Sequence, residues 1–400
     1  MIDPREKQKP QKIRSIKLGQ VISIISGAPF KSELFNGIGN GLPLIRVRDV
    51  NTGPAGVFYS GEFSKEHLVA TGDLLVSMDG DFKAIKWIHG YGLLNQRVCK
   101  VVPEEKVLNK HYLEQFLPKA LSDIHRETTF TTVKHLSTKS IRDIEIPLPS
   151  LEDQTRIAHL LGKVEELIAQ RKQHLQQLDD LLKSVFLEMF GDPVRNEKEW
   201  DIVGINTVCH DIFLGLTNKV DYVETGGYPL IRATDIKDGK LSFENARYIS
   251  AAQHKKITKN RISKRGDILV SKSGTLGTTA IVDSDEEFTT YESIITIQIN
   301  PKKLVNHYLN ALLKNQNFQI KMLGGKTGGT VGHLNLLMFR EITLPAPAIG
   351  LQNKFATIVE KVEILKSRYQ QSLADLEALY GALSQQAFKG ELDLSRVRLD

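Results

Sequence analysis

Two segments set a lysine beside hydroxyl side chains between glycines: SKSGTLG at 271–277 and LGGKTGGT at 323–330. Glycine lets a loop fold tightly and bring neighbouring polar groups close to an anion, so Lys272, Ser273, Thr275, Lys326 and Thr327 are candidates for contacts to phosphate. Nucleotide hydrolysis does not follow. A phosphate loop closing on Lys326 and Thr327 requires glycine at 320, where the chain has Ile320. Base methylation does not follow either, because the chain lacks any Pro-Pro pair and so any Asp/Asn-Pro-Pro-aromatic motif. GIGNG at 37–41 departs from the dinucleotide fingerprint and reads as a turn. No paired carboxylates near a lysine suggest a nuclease. Cys99 and Cys209 lie far apart without CxxC spacing, which points to a reducing cytoplasm and away from a structural zinc.

Further candidates for anion contact are Lys31 and Ser32 in PFKS, Lys83 and Lys86 after SMDGDF, Arg97 in NQRV, Lys134 and His135 in TVKHL, and Thr217 and Lys219 in GLTNK. Any one of them could equally be a solvated loop residue; the set points to a polyanion. The net charge of +6 divides as +5 over 1–150, −2 over 151–191, +3 over 192–345 and 0 over 346–400, so the positive excess sits in two large segments. No apolar run reaches the ~18–20 residues of a membrane span, and the polar, basic beginning is no secretory signal; the expectation is a soluble cytoplasmic protein.

The elements that must position these residues occur twice. PLIRVRDV at 43–50 recurs as PLIRATDI at 229–236, GDLLVSMDG at 72–80 as GDILVSKSG at 266–274, HYLEQFL at 111–117 as HYLNALL at 307–313, and TVKHL at 132–136 as TVGHL at 330–334. The offsets grow from 186 to 198, as small loop insertions produce in a duplicated domain. Short β-branched runs predict strands, and the HYL segments predict helices, in an α+β or α/β domain without regular βα alternation. Arg46 with Asp49, and Arg232 with Asp235, recur in both copies and predict a structural ion pair. His135 and His333 also recur, which suits a phosphate contact or a fold-stabilising role.

Each copy ends in the same join: a short strand, Pro-x-Pro, and a glutamine seven residues after the first proline, namely Gln154 and Gln352. A heptad pattern follows, with Ile157, Val164, Leu178 and Val185 at one position and Leu160, Leu167 and Leu181 at its partner. The second copy places Phe355, Val362, Tyr369, Leu376 and Leu383 beside Ile358, Leu365 and Leu379. Helices of roughly 35–38 residues, about 55 Å each, are predicted to pair antiparallel through this seam. Arg171 falls at a seam position, to snorkel or to face a partner. A second stripe (Leu161, Ile168, Leu175, Leu182) leads to a bulky end at Phe186, Met189 and Phe190, which a partner subunit or the globular domains could cover. The second join lacks an acidic residue matching Asp153, which could alter the helix start. The organisation is a first domain at 1–147, a helix at 148–191, a second domain at 192–345, and a helix with tail at 346–400, in pseudo-two-fold arrangement.

With SGAPFKSELFNG, LLNQRV, SGTLG, IPLPSLEDQTRIA and the closing AFKGEL, this organisation resembles the specificity subunits of type I restriction–modification systems over nearly the whole chain. The resemblance implies a non-catalytic subunit without cofactor or metal. Its two target-recognition domains would each read half of a bipartite site on double-stranded DNA, the loop candidates above touching either phosphates or base edges. Its helices would set the spacer and dock two modification subunits, which methylate adenine, and a motor–nuclease restriction subunit would join the full complex. A coiled-coil adaptor binding only proteins is the competing reading; it predicts no DNA affinity.

Overall fold

The computed structural model describes residues 13–54, 56–127, 135–217, 219–258, 261–272, 277–322, 334–395 and 397–399. It divides into two units, 1–172 with 372–400 and 173–371, each holding one copy of the repeat with parts of both long helices.

In the first unit four antiparallel strands follow the order Ile22–Ser26, Val98–Pro103, Leu74–Ser77, Ala84–Lys86. Leu74–Ser77 is buried along its whole length, and its first three residues form an unbroken apolar run, as a strand covered on both faces requires. The helix Lys110–Glu127 puts Tyr112, Leu113, Phe116, Leu117 and Leu121 on one face, which packs with Leu74, Val76, Cys99 and Val101. A second sheet pairs Leu42–Ile45 in parallel with Gly92–Leu94. The second unit repeats the plan. Its four-stranded sheet runs Cys209–Leu214, Ile294–Ile299, Ile268–Ser271, Thr279–Ile281, and Tyr228–Ile231 pairs in parallel with Thr289–Thr290.

The two joins have the same construction. The first strand of each repeat pairs antiparallel with the last: Ser15–Lys17 with Glu145–Pro147, and Ile202–Gly204 with Thr343–Pro345. Gln154 is fully buried; its Oε1 accepts from Asn109 N–H at 2.8 Å, and its Nε2 donates to the carbonyls of Val107 and Pro149 at 3.0 Å each. Gln352, equally buried, accepts from Val305 N–H at 2.9 Å and donates to the Pro347 carbonyl at 2.7 Å. Tyr112 and Tyr308 donate their hydroxyls to the carbonyls of Pro147 and Pro345, each at 2.8 Å. One amide and one phenol thus tie strand, helix start and preceding helix together, which is why glutamine recurs there. Ser150 caps the first long helix through Asp153, whereas Ala348 and Leu351 stand at the matching places. The helix start does not move for lack of that cap: Leu151 and Ile349 are equivalent first residues.

The long helices span Leu151–Phe190, 40 residues, and Ile349–Lys389, 41 residues, slightly more than the pattern predicts. Each stops at a glycine with φ of +75°, Gly191 or Gly390, in the left-handed conformation that ends helices. Within each unit they run antiparallel. In the first, Lys172 pairs with Glu377 at 2.9 Å, and Leu161 shares a core with Ala387. In the second, His174 lies against Tyr369, Asp179 pairs with Lys366 at 2.8 Å, and Phe186 meets Phe355.

The phase of the seam differs from the expected one. Ile157, Val164, Phe355 and Val362 are buried as predicted, but Leu167, Leu181 and Leu379 are exposed by 45–47%. The covered residues are those one position on: Leu161 is fully buried, and Ile168, Leu175 and Leu182 are partly so. Phe186 and Phe190 enter the second unit's core, with Phe190 edge-on to Tyr308 at 4.7 Å and Met189 packed beside them. Leu161, Phe186 and Phe190 are therefore not the docking surface expected of them; their contacts lie within the chain's own cores. Arg171 sits half-buried in the seam.

The duplicated Arg–Asp pair is structural, as expected. The Asp49 carboxylate accepts from Arg46 N–H at 2.9 Å and lies 3.4 Å from its Nε; Asp235 repeats this at 2.8 and 3.3 Å. Both carboxylates are buried, so the arginines hold a chain turn in place.

Candidate nucleic-acid interface

The buried Ser77 at the end of its strand accepts from Lys83 N–H at 2.9 Å, closing the loop that carries Asp79 and Lys83. Backbone hydrogen bonds link this loop directly to two others and, through the Arg97 turn, to a third. Met78 N–H donates to the Arg97 carbonyl at 2.8 Å, Leu136 N–H to Met78 at 2.7 Å, and Gln96 N–H to Ala28 at 2.9 Å. The segment leading to Lys31 and Ser32, the turn at Arg97 and the residue His135 are thereby fixed to one another. Lys31, Ser32, Lys83, Arg97 and His135 are all exposed. Arg97 Nη1 lies 3.1 Å from His135 Nδ1, and the same ring nitrogen donates to Asp79 Oδ1 at 2.7 Å.

Lys86 departs from this group. The hairpin register pairs it with Leu74, at the far end of the strand from Ser77. It stands 4.0 Å from Glu114 and lines a cleft of about 480 Å³ with His111, His159 and Lys163.

The second unit has the matching frame. Ser271, also buried, accepts from Thr278 N–H at 3.0 Å; Lys272 N–H donates to Ser293 at 2.7 Å, and Leu334 N–H donates to Lys272 at 3.2 Å. Gly215 and Leu216 repeat the bonds of Gly27 and Ala28. A Cβ on Gly27 would meet the Asn95 carbonyl oxygen at 2.0 Å, and one on Gly215 the Thr290 oxygen at 2.1 Å, so only glycine allows the strand to pass so close. Thr217 and Lys219 follow this crossing and are exposed, and Lys272 is half-buried. Lys134, Ser273, Thr275, Lys326, Thr327 and His333 lie outside the described residues. The sequence reading missed Ser77, Ser271 and Asp79; the recurrence of VS at the end of both strands was the available signal for the serines.

Among the described residues no group of His, Cys, Asp and Glu could hold a metal ion, and no helix is long and apolar enough to cross a membrane.

Fold and frame define a tandem-repeat protein whose two units present the same loops with unlike side chains at their tips. The family model for the type I restriction modification DNA specificity domain matches twice, over 10–179 and 197–377, and the chain belongs to that family. It is 29% identical over 94% of its length to the Type I restriction enzyme EcoBI specificity subunit of Escherichia coli, covering 85% of that protein. With the MjaVIII specificity subunit of Methanocaldococcus jannaschii it shares 21% identity over 89% of its own length and 87% of the relative's. The fold matches the crystal structure of a type I restriction–modification S subunit from M. genitalium, with a TM-score of 0.58 at 14% identity over 97% of this chain and 98% of that one.

Proposed function

We propose that the chain is the DNA-recognition subunit of a type I restriction–modification assembly, each unit reading one half of a bipartite site on double-stranded DNA. The observation that carries this reading is the repeated loop frame with different tips: Gly27 and Gly215, Ser77 and Ser271, and Leu136 and Leu334 correspond, while Lys272 occupies in the second repeat the position of Met78 in the first, and Ser293 that of Arg97. One scaffold with two sets of side chains suits two unlike half-sites. The lysines supply affinity through phosphates, and a few tip residues select bases. The long helices set the unread spacer and carry the docking surface for two modification subunits. With Leu161, Phe186 and Phe190 buried, the exposed Leu167 of the first unit and Leu181 and Leu187 of the second are the docking candidates. Adenine methylation belongs to those partners, and cleavage to a motor–nuclease subunit.

A single-molecule methylation map of host DNA with the gene intact and deleted tests this. Loss of one bipartite methyl-adenine motif on deletion is the expected result. If the map is unchanged while the modification subunit is expressed, the reading fails. A protein-only adaptor predicts in addition that the chain with its modification subunit binds no DNA at low salt.

A further inference from the structure

Arg97 is the third residue of a turn closed by Val98 N–H to the Asn95 carbonyl at 3.1 Å, and its φ is +72°. Side chains other than glycine disfavour that left-handed region. The matching turn of the second unit is closed by Ile294 N–H to Tyr291 at 2.9 Å without a positive φ at Ser293. The turn itself does not need the strained conformation. Strain retained at a position where the two copies differ marks a side chain whose direction matters.

That side chain is also held. Its Nε lies 3.8 Å from Asp79 Oδ2, the carboxylate that also accepts from His135 Nδ1, so Asp79 is the group that holds it; the His135 ring lies beside its Nη1 without accepting from it through that nitrogen. Slightly more than half of it, 54%, stays exposed, and among the described residues nothing hydrogen-bonds its Nη2. A carboxylate this close offsets the guanidinium charge and repels a phosphate, so it weakens attraction to the DNA backbone. It leaves the planar donor fork intact for two acceptors on a neutral edge. In the major groove guanine offers such a pair, N7 and O6.

We propose that Arg97 reads the guanine of one G·C pair in the half-site bound by the first unit, with Asp79 as the positioning residue that aims the guanidinium and tempers its pull toward phosphate. This rests on the DNA-recognition reading above and assigns a base to one side chain within it.

The test uses the chain in complex with its modification subunit. Methylation motifs and DNA binding across a salt series are compared for the wild type, Arg97→Ala, Arg97→Lys and Asp79→Asn. Arg97→Ala is expected to lose discrimination at a single G·C position by roughly 5- to 160-fold, with the other half-site, the spacer and the salt slope unchanged. Arg97→Lys keeps the charge without the fork and loses most of the same discrimination. Asp79→Asn relaxes the same position more mildly and steepens the salt dependence, an effect that a purely structural carboxylate does not produce. The inference is overturned if Arg97→Ala weakens all sites alike and lowers the salt slope by about one, because that is a phosphate contact; the DNA-recognition reading then stands. A wild-type complex without any sequence-dependent methylation removes both. Where Arg97→Ala fails to assemble, Arg97→Lys decides: retained discrimination at every position overturns the inference.

Discussion

Replacing Gln154 with alanine tests the account of the join. The fully buried amide makes three hydrogen bonds, to Asn109 N–H and to the carbonyls of Val107 and Pro149. At about 1 kcal/mol net for each bond, Gln154→Ala costs about 3 kcal/mol, and the orphaned Asn109 N–H keeps the loss from falling much below ~2 kcal/mol. Gln352→Ala loses two such bonds and costs about 2 kcal/mol. Gln154→Glu is worse than alanine, since a buried carboxylate can donate to neither carbonyl. A global unfolding curve is a poor readout for a chain of two units. Amide exchange followed by mass spectrometry on the intact protein localises the effect. About 3 kcal/mol of lost local stability accelerates exchange by roughly 150-fold around residues 107–113 in Gln154→Ala, while residues 303–309 keep wild-type rates. Gln352→Ala gives the reverse pattern. Exchange within threefold of wild type at residues 107–113 in Gln154→Ala refutes the clamp.

Acid destabilises the second unit. His254, buried, bonded to Thr289 Oγ1 at 2.8 Å and stacked on Tyr228 at 3.8 Å, has its pKa lowered below the ordinary 6.5 chiefly by burial, against the opposing pull of Glu287. His307 is lowered for the same principal reason. The unfolded chain therefore binds protons more readily, so this contribution is complete above about pH 7 and falls away as pH drops through 6.5 and below. Exchange in peptides of 220–310 should accelerate between pH 7 and 5.5, less so in His254→Gln; an equal response in both proteins argues against it. Burial also pushes the thiols of Cys99 and Cys209 up to about 12, so both should alkylate at pH 8 at least a hundredfold more slowly in the folded than in the denatured protein. Prompt labelling of native Cys99 would contradict that environment.

The duplication, the strand–helix order and the length of the long helices could be read from the sequence, because each rests on a pattern repeated at a fixed offset. The phase of the helix seam could not. Leu160 and Leu161, Leu167 and Ile168, and Leu181 and Leu182 are adjacent apolar pairs, and periodicity alone does not say which of each pair turns inward. Phe186 and Phe190 looked like an uncovered end for a related reason: the aromatic partners that cover them, Tyr308 and Phe355, lie more than a hundred residues away. In the candidate interface, Arg97 and His135 are visible as polar loop residues, but their meeting at Asp79 depends on long-range backbone bonds that no local spacing reveals.

The pairing of each repeat's first strand with its last has a consequence for inheritance. A unit that begins and ends at the same place is a closed cassette, with the tips that differ between the two copies in the middle of the coding segment and the seams the copies share at the edges. Genetic exchange between related sequences at those seams carries a whole set of tips into a frame already built to receive it, with the closing strands and the glutamine supplied by either parent. New combinations of tips can arise in one crossover without refolding anything, whereas a crossover between Ser77 and Leu136 would join mismatched loops.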